Sequence, residues 1–114
     1  VTDDCLFCRI VAGEIPSTTV HETASTVAFR DINPQAPTHV VVVPREHYPT
    51  AYALAQADPA LAGAVLAAAG EVAEQEGITD GYRIVFNTGA GAGQSVFHVH
   101  CHVLGGRQLT WPPG

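Results

Sequence analysis

Apolar residues along the chain switch between a two-residue and a helical period. β-Branched runs at residues 18–20, 26–31 and 39–43 are separated by Asp, Asn, Pro and Gln, the punctuation of antiparallel strands in a meander. The link Asp31-Ile32-Asn33-Pro34-Gln35-Ala36-Pro37 carries two prolines; these fix the backbone and hold its polar groups in place, as the wall of a ligand site requires. Asp58-Pro59 then opens a helix that runs to Gly77, because Asp caps free amides and Pro fits the first turn. Leu61, Val65, Ala69, Val72 and Ala73 recur at helical spacing, one apolar stripe that lies on a sheet over about 28 Å. Shorter helical signals occur at residues 50–57 and at residues 6–15, the latter stopped by Gly13 and Pro16. Residues 82–87 and 97–104 read as two further strands joined by the glycine-rich loop 88–95. The pattern therefore predicts five strands and one principal helix in a single domain over residues 1–114, without an internal repeat or an interdomain linker.

Composition narrows the functional classes. At 114 residues the chain is long enough for one ordinary core and too short for two. A net charge of -6 with only five Lys and Arg leaves no basic patch to neutralise a phosphate backbone, so polymeric nucleic acid is not the expected partner. No apolar run approaches a bilayer span and Val1-Thr2-Asp3-Asp4 lacks a basic secretory start, so the expectation is a cytoplasmic protein with no membrane partner. Three cysteines, two of them as Cys5-x-x-Cys8, do not make the disulfide framework of a small secreted domain. Reduced thiols or a metal suit them better.

The chemistry concentrates near the carboxyl end. In an extended strand His98, His100 and His102 share one face, while Val99, Cys101 and Val103 share the other. Three imidazoles in strict alternation are poor core packing, since each buries nitrogens that need partners. A zinc site is the rival to catalysis, but the Cα atoms of His98 and His102 should stand about 13 Å apart, too far for the outer pair to converge easily on one ion. His100 is the expected nucleophile: a neutral imidazole is available at neutral pH, its neighbours can orient it, and phosphorus is the matching electrophile. The loop through Gly89, Gly91 and Gly93 lets backbone amides surround an anion. It lacks the Lys of a nucleotide-triphosphatase loop and leads into a strand, so neither that motif nor the dinucleotide fingerprint applies, and a flexible hairpin connection is the bland alternative. Gln94 and Ser95 stand just before the histidines, where they can donate to a phosphate or a leaving group.

His98-Val99-His100-Cys101-His102-Val103 resembles the His-x-His-x-His-x motif of the histidine triad (HIT) nucleotide-binding proteins. Residues 31–39, 93–97 and the tail 105–114 resemble the Hint branch, so the similarity covers nearly the whole chain. The resemblance implies an α+β fold with a five-stranded antiparallel sheet, and a homodimer that joins two such sheets into one of ten strands. It implies a purine nucleoside phosphoramidase that cleaves P–N bonds of nucleoside monophosphate adducts, such as adenosine phosphoramidate and aminoacyl or lysyl adducts of AMP, through a nucleotidyl-histidine intermediate on His100. It also implies that Asp31 binds the ribose hydroxyls, Ile32 borders the base, and Asn87, Gly93, Ser95 and the backbone near Val99 contact phosphate and leaving group. His39, His98 and His102 would orient groups or relay protons. From the residues alone Asp31 is equally a turn former.

No cofactor is expected for catalysis, yet Cys5 and Cys8 can supply half of a tetrahedral zinc shell, with His47 and His98 as candidates for the rest. The resemblance pairs such cysteines with those histidines as a structural zinc site. The same pair lacks the strand-then-helix setting of a thioredoxin-like motif. Cys101 is expected to face the core. Trp111, the one tryptophan, sits in a proline-stiffened tail that the resemblance sends toward the partner protomer's site. The competing readings are a nucleotide-binding regulator with vestigial hydrolysis, a metal-dependent enzyme built on the histidines, and a dinucleoside polyphosphate hydrolase.

Overall fold

The computed structural model describes residues 4–114. Its centre is the strand β3, Thr38–Pro44, in which all seven residues are buried. Four consecutive valines, Val40 to Val43, form this strand, and their continuous apolarity is explained by cover on both faces. Val40 and Val42 face a core shared with the long helix, while Val41 and Val43 face a second cluster with Phe7, Val27 and Phe29. The strands β1 (Thr19–Glu22), β2 (Thr26–Arg30), β4 (Tyr82–Val85) and β5 (Cys101–Gly105) complete one antiparallel sheet in the order β1-β2-β3-β5-β4. The chain runs as a meander through β1, β2 and β3, and β5 then enters between β3 and β4.

The helices begin where capping chemistry places them. α1 (Leu6–Val11) starts at Cys5, whose sulfur accepts from the Cys8 amide. α2 (Ala51–Ala57) starts at Thr50, whose hydroxyl accepts from the Ala53 amide. α3 (Pro59–Gln75) is capped by Asp58, which accepts from the Leu61 amide, and has Pro59 in its first turn. The stripe expected on α3 is buried throughout, with Ala68 added to it. α3 lies on β3 and β5, opposite the face that α1 covers. At the end of β5 the chain passes so close to Ile78 that a Cβ on Gly105 would stand 2.7 Å from the Ile78 Cδ1 atom, which explains a glycine there.

Several strand boundaries differ from expectation, two of them on either side of the glycine-rich loop. β4 ends at Val85, not at residue 87, and β5 begins only at Cys101, four residues after the expected start. The second difference has a clear cause. β3 ends at Pro44, which has no amide proton to donate, and the β3–β5 ladder stops at the Val42–Cys101 pair. Residues 98–100 therefore have no partner strand, and the Val99 amide donates to the Tyr48 carbonyl at 2.7 Å instead. The alternation of faces nevertheless persists: Val99, Cys101 and Val103 all enter the α3-side core, while Phe7 of α1 meets the rings of His98 and His100 on the other side. Among the described residues no helix is long and apolar enough to cross a membrane.

Candidate functional site

A cavity of about 720 Å³ opens beside α1, the carboxyl end of β2 and the amino end of β5. Apolar side chains of Phe7, Ile10, Ile15, Phe29 and Val96 form much of its lining, with polar groups supplied by Asp31, Asn87, Gly93, Ser95, His100 and His102. This is the mixture expected of a small-molecule site: a largely apolar concavity with a few convergent polar groups. Ile32, fully exposed, stands at its rim.

Backbone hydrogen bonds set the tautomer of each central imidazole. His100 Nδ1 donates to the His98 carbonyl at 2.8 Å, so the lone pair resides on Nε2, which has no partner among the described residues. Burial holds the His100 imidazole below its ordinary pKa, and the hydrogen bond to the His98 carbonyl and the charge of Asp31 oppose that shift in part. His39 Nδ1 accepts from the Gln35 amide at 3.0 Å, so His39 Nε2 carries the proton and donates to His102 Nδ1 at 2.9 Å. His102 Nε2–H is then the free donor of that ring. Burial, followed by the proximity of His100 and His39, pushes the His102 pKa down to about 4, so this ring is neutral at neutral pH.

Asp31 closes the β2–β3 link, its amide donating to the His39 carbonyl at 3.0 Å. One carboxylate oxygen accepts from the Asn33 amide at 2.8 Å, making the turn-forming role real; the other lies 3.5 Å from His39 Nε2 and 4.0 Å from His102 Nδ1. Arg107, which the sequence reading did not single out, donates twice to the Gln35 carbonyl and so steadies the residue that orients His39. Asp31, His39 and His102 lie close enough together to suggest a metal site. The tautomer argues otherwise: with the Gln35 N–H directed at His39 Nδ1, Nε2 holds the ring proton and has no lone pair for an ion.

Three sequence expectations change here. Gln94, expected to donate to a phosphate, is 3% exposed and ties the loop together. Its Oε1 accepts from the Gly89 amide and its Nε2 donates to the Pro49 and Val96 carbonyls. The Val99 amide, expected near the phosphate, is committed to Tyr48. His98, expected to orient groups or relay protons, lies beneath α1, fully buried and outside the cavity lining, where its carbonyl orients His100 but its ring does not reach the cavity. Gly93, at φ +92°, and Ser95 do line the cavity, as do Asp31, Ile32, Asn87, His100 and His102. His39 backs His102 without lining the cavity, and Trp111 is 83% exposed on the tail, away from it.

His98 belongs to a second cluster with Cys5, Cys8 and His47. Its Nε2 donates to the Pro44 carbonyl at 2.8 Å, which leaves the Nδ1 lone pair facing the two sulfurs at 3.6 and 3.5 Å and His47 Nδ1 at 3.2 Å. Cys8 Sγ lies 3.4 Å from His47 Nδ1. In a tetrahedral zinc shell, sulfur and nitrogen vertices stand about 3.5 Å apart and two nitrogens about 3.3 Å. The cluster thus has the donor set of such a shell and matches it along these four edges, with all four ligand atoms within 4.8 Å of one another, and the Pro44 carbonyl fixes the imidazole as outer-sphere partners of metal ligands do.

A sheet of this order, with alternating histidines leading into its β5 strand beside a cavity, defines the histidine triad class. The HIT domain model matches residues 12–109, and the chain belongs to the HIT domain family. It is 49% identical over 112 residues to the 14 kDa zinc-binding protein of Zea mays, covering 96% of this chain and 87% of that one. It is 46% identical over the full 114 residues of both chains to the uncharacterized HIT-like protein slr1234 of Synechocystis sp.. Among solved structures it matches a HIT family hydrolase from Legionella pneumophila Philadelphia 1 with a TM-score of 0.93 at 50% identity, over 97% of this chain and 100% of that one.

Proposed function

We propose that the protein is a purine nucleoside phosphoramidase of the Hint type, cleaving P–N bonds of nucleoside monophosphate adducts. The observation that carries this reading is the His100 imidazole, whose Nδ1–H is fixed on the His98 carbonyl while Nε2 keeps its lone pair. Nε2 attacks phosphorus and forms the new P–N bond to His100 as the old P–N bond breaks, and the departing amine takes its proton from solvent, leaving a cationic nucleotidyl-imidazole. Water then cleaves the nucleotidyl-histidine, releasing the nucleoside monophosphate and restoring the imidazole. His102, fed through Gln35 and His39, supplies a neutral N–H toward the reacting centre, and Ser95 stands where it can donate to the departing amine. Asp31 offers the acceptor oxygens for ribose hydroxyls, the Gly93 segment and Asn87 receive the phosphate, and Ile32, Phe7 and Phe29 flank the base.

The likeness to a hydrolase of the same family supports the hydrolytic part of this reading. The cluster of Cys5, Cys8, His47 and His98 would hold zinc, as the likeness to a zinc-binding protein also suggests. Four protein ligands saturate a tetrahedral ion, so its role there is structural, with no open position for substrate. The reading includes a homodimer: β4 is an edge strand, and Leu66 and the tail with Trp111 are exposed, free to meet a second protomer. It includes a cytoplasmic setting for the reduced thiols.

The test is release of AMP from adenosine phosphoramidate by the wild-type and His100→Ala proteins, each with and without chelator. Turnover that survives chelation and falls by about 10⁴-fold or more in His100→Ala, with AMP binding retained, is the expected outcome. Absence of turnover in folded wild-type protein overturns the assignment.

A further inference from the structure

The two clusters share one wall. α1 carries Cys5 at its cap and Cys8 within it, and from the same six-residue helix Leu6, Phe7 and Ile10 line the cavity. Phe7 stands edge-on to His100, with ring centroids 5.0 Å apart and planes at 88°, and edge-on to Phe29 at 5.4 Å. A second link runs through His98, whose ring faces the sulfurs while its carbonyl accepts the His100 Nδ1 proton.

Little else holds α1 in place. A helix of six residues does not persist alone, since isolated helices shorter than about 12 residues are marginal in water. Among the described residues, the backbone hydrogen bonds outside the helix ladder at residues 5–14 are all local to that segment, and none reaches the sheet. Its attachment is therefore the packing of Phe7, Ile10 and Val11 and the convergence of Cys5 and Cys8 on His47 and His98.

We propose that the Cys5–Cys8–His47–His98 cluster regulates the nucleotide site by holding α1, the shared wall, against it. The inference rests on the cavity being the nucleotide site as far as the ligand is concerned, but the link between cluster and wall stands on the geometry alone. With the four side chains tied together, Phe7 is fixed on His100 and the apolar lining is complete. With them released, α1 loosens, Phe7 leaves the imidazole edge, and the cavity loses one side. Phe7 is thus a positioning residue for His100. Because binding linkage is reciprocal, AMP must strengthen the hold of the cluster on zinc by the same factor by which zinc strengthens the hold on AMP.

The test compares zinc-loaded and chelator-treated protein by two readouts, amide hydrogen exchange and AMP affinity by calorimetry. Removal of zinc is expected to speed exchange at residues 6–11 at least tenfold while amides of β3 and β5 stay unchanged, and to raise the Kd for AMP at least tenfold. Cys5→Ala/Cys8→Ala should reproduce the zinc-free values and abolish their response to zinc. Phe7→Ala should still bind zinc but show an AMP affinity that zinc no longer alters. Exchange at residues 6–11 unchanged within twofold on zinc removal, exchange accelerated equally in β3 and β5, or failure of the wild type to bind zinc each overturns the coupling. A zinc-loaded protein that does not bind AMP, while residues 6–11 still respond to zinc, overturns the nucleotide reading and supports the coupling of cluster and wall.

Discussion

Replacing Gln94 by Ala separates a loop-holding role from a ligand-binding one. The side chain is almost fully buried and makes three hydrogen bonds, to the Gly89 amide at 2.8 Å and to the Pro49 and Val96 carbonyls at 2.8 and 3.1 Å. Each such bond contributes about 1 kcal/mol net, so truncation costs about 3 kcal/mol. In a domain of this size, 1 kcal/mol corresponds to about 4 °C in Tm, giving a fall of about 12 °C by circular dichroism. Gln94→Glu keeps the acceptor for Gly89 but sets a carboxylate oxygen against two carbonyls, so its Tm should fall at least as far. A Tm within about 2 °C of wild type, combined with a Kd for AMP raised tenfold, would show that Gln94 serves the ligand directly and refute the loop-holding account.

Three further outcomes follow from burial and close packing. His102 is held down to about 4 by burial and by its histidine neighbours, whereas in the unfolded chain it takes up a proton near ~6.5. Its contribution is therefore fully present above pH ~6.5 and is lost as the pH falls toward 4, by about 3 kcal/mol, with buried His98 and His100 shifted in the same sense. Urea midpoints should drop between pH 7 and pH 4.5, and a midpoint that holds steady or rises contradicts this. Gly105→Ala drives a methyl into Ile78 and should cost about 1–3 kcal/mol, with Ile78→Val in the same chain recovering part of the loss because Cδ1 is gone; unchanged stability in the single variant refutes the contact. Burial pushes the Cys101 thiol up to about 12, so maleimide should leave it unmodified in the folded protein at neutral pH, and its appearance as a labelled peptide by mass spectrometry refutes its inertness.

The elements that need only local order were legible along the chain. α3 announces itself through Asp58-Pro59 and its apolar stripe, the first three strands through β-branched runs between turn residues, and the last two through their place on either side of the glycine-rich loop. The alternation that sends Val99, Cys101 and Val103 into the core was legible too, because two-residue periodicity is a property of extended backbone. Where β5 begins was not, because strand length depends on the partner: Pro44 ends β3, and the residues opposite it lose their ladder. Gln94 and the Val99 amide were misplaced for a related reason. Polar groups read as free donors were matched in space with Pro49, Val96 and Tyr48, more than forty residues away for Pro49 and Tyr48.

The sequence by itself determined the chemical inventory: alternating histidines, a glycine loop, a carboxylate before a rigid turn, and two thiols one helical turn apart. Only the tertiary structure decided how that inventory divides. His98, identical in type to His100 and two residues from it, turns its lone pair toward Cys5, Cys8 and His47 because the Pro44 carbonyl takes its other nitrogen. His100 keeps its lone pair for the cavity because the His98 carbonyl takes its Nδ1 proton. An imidazole has two nitrogens and one proton, so its role is set by which nitrogen finds a fixed partner, and those partners are brought near by folding alone.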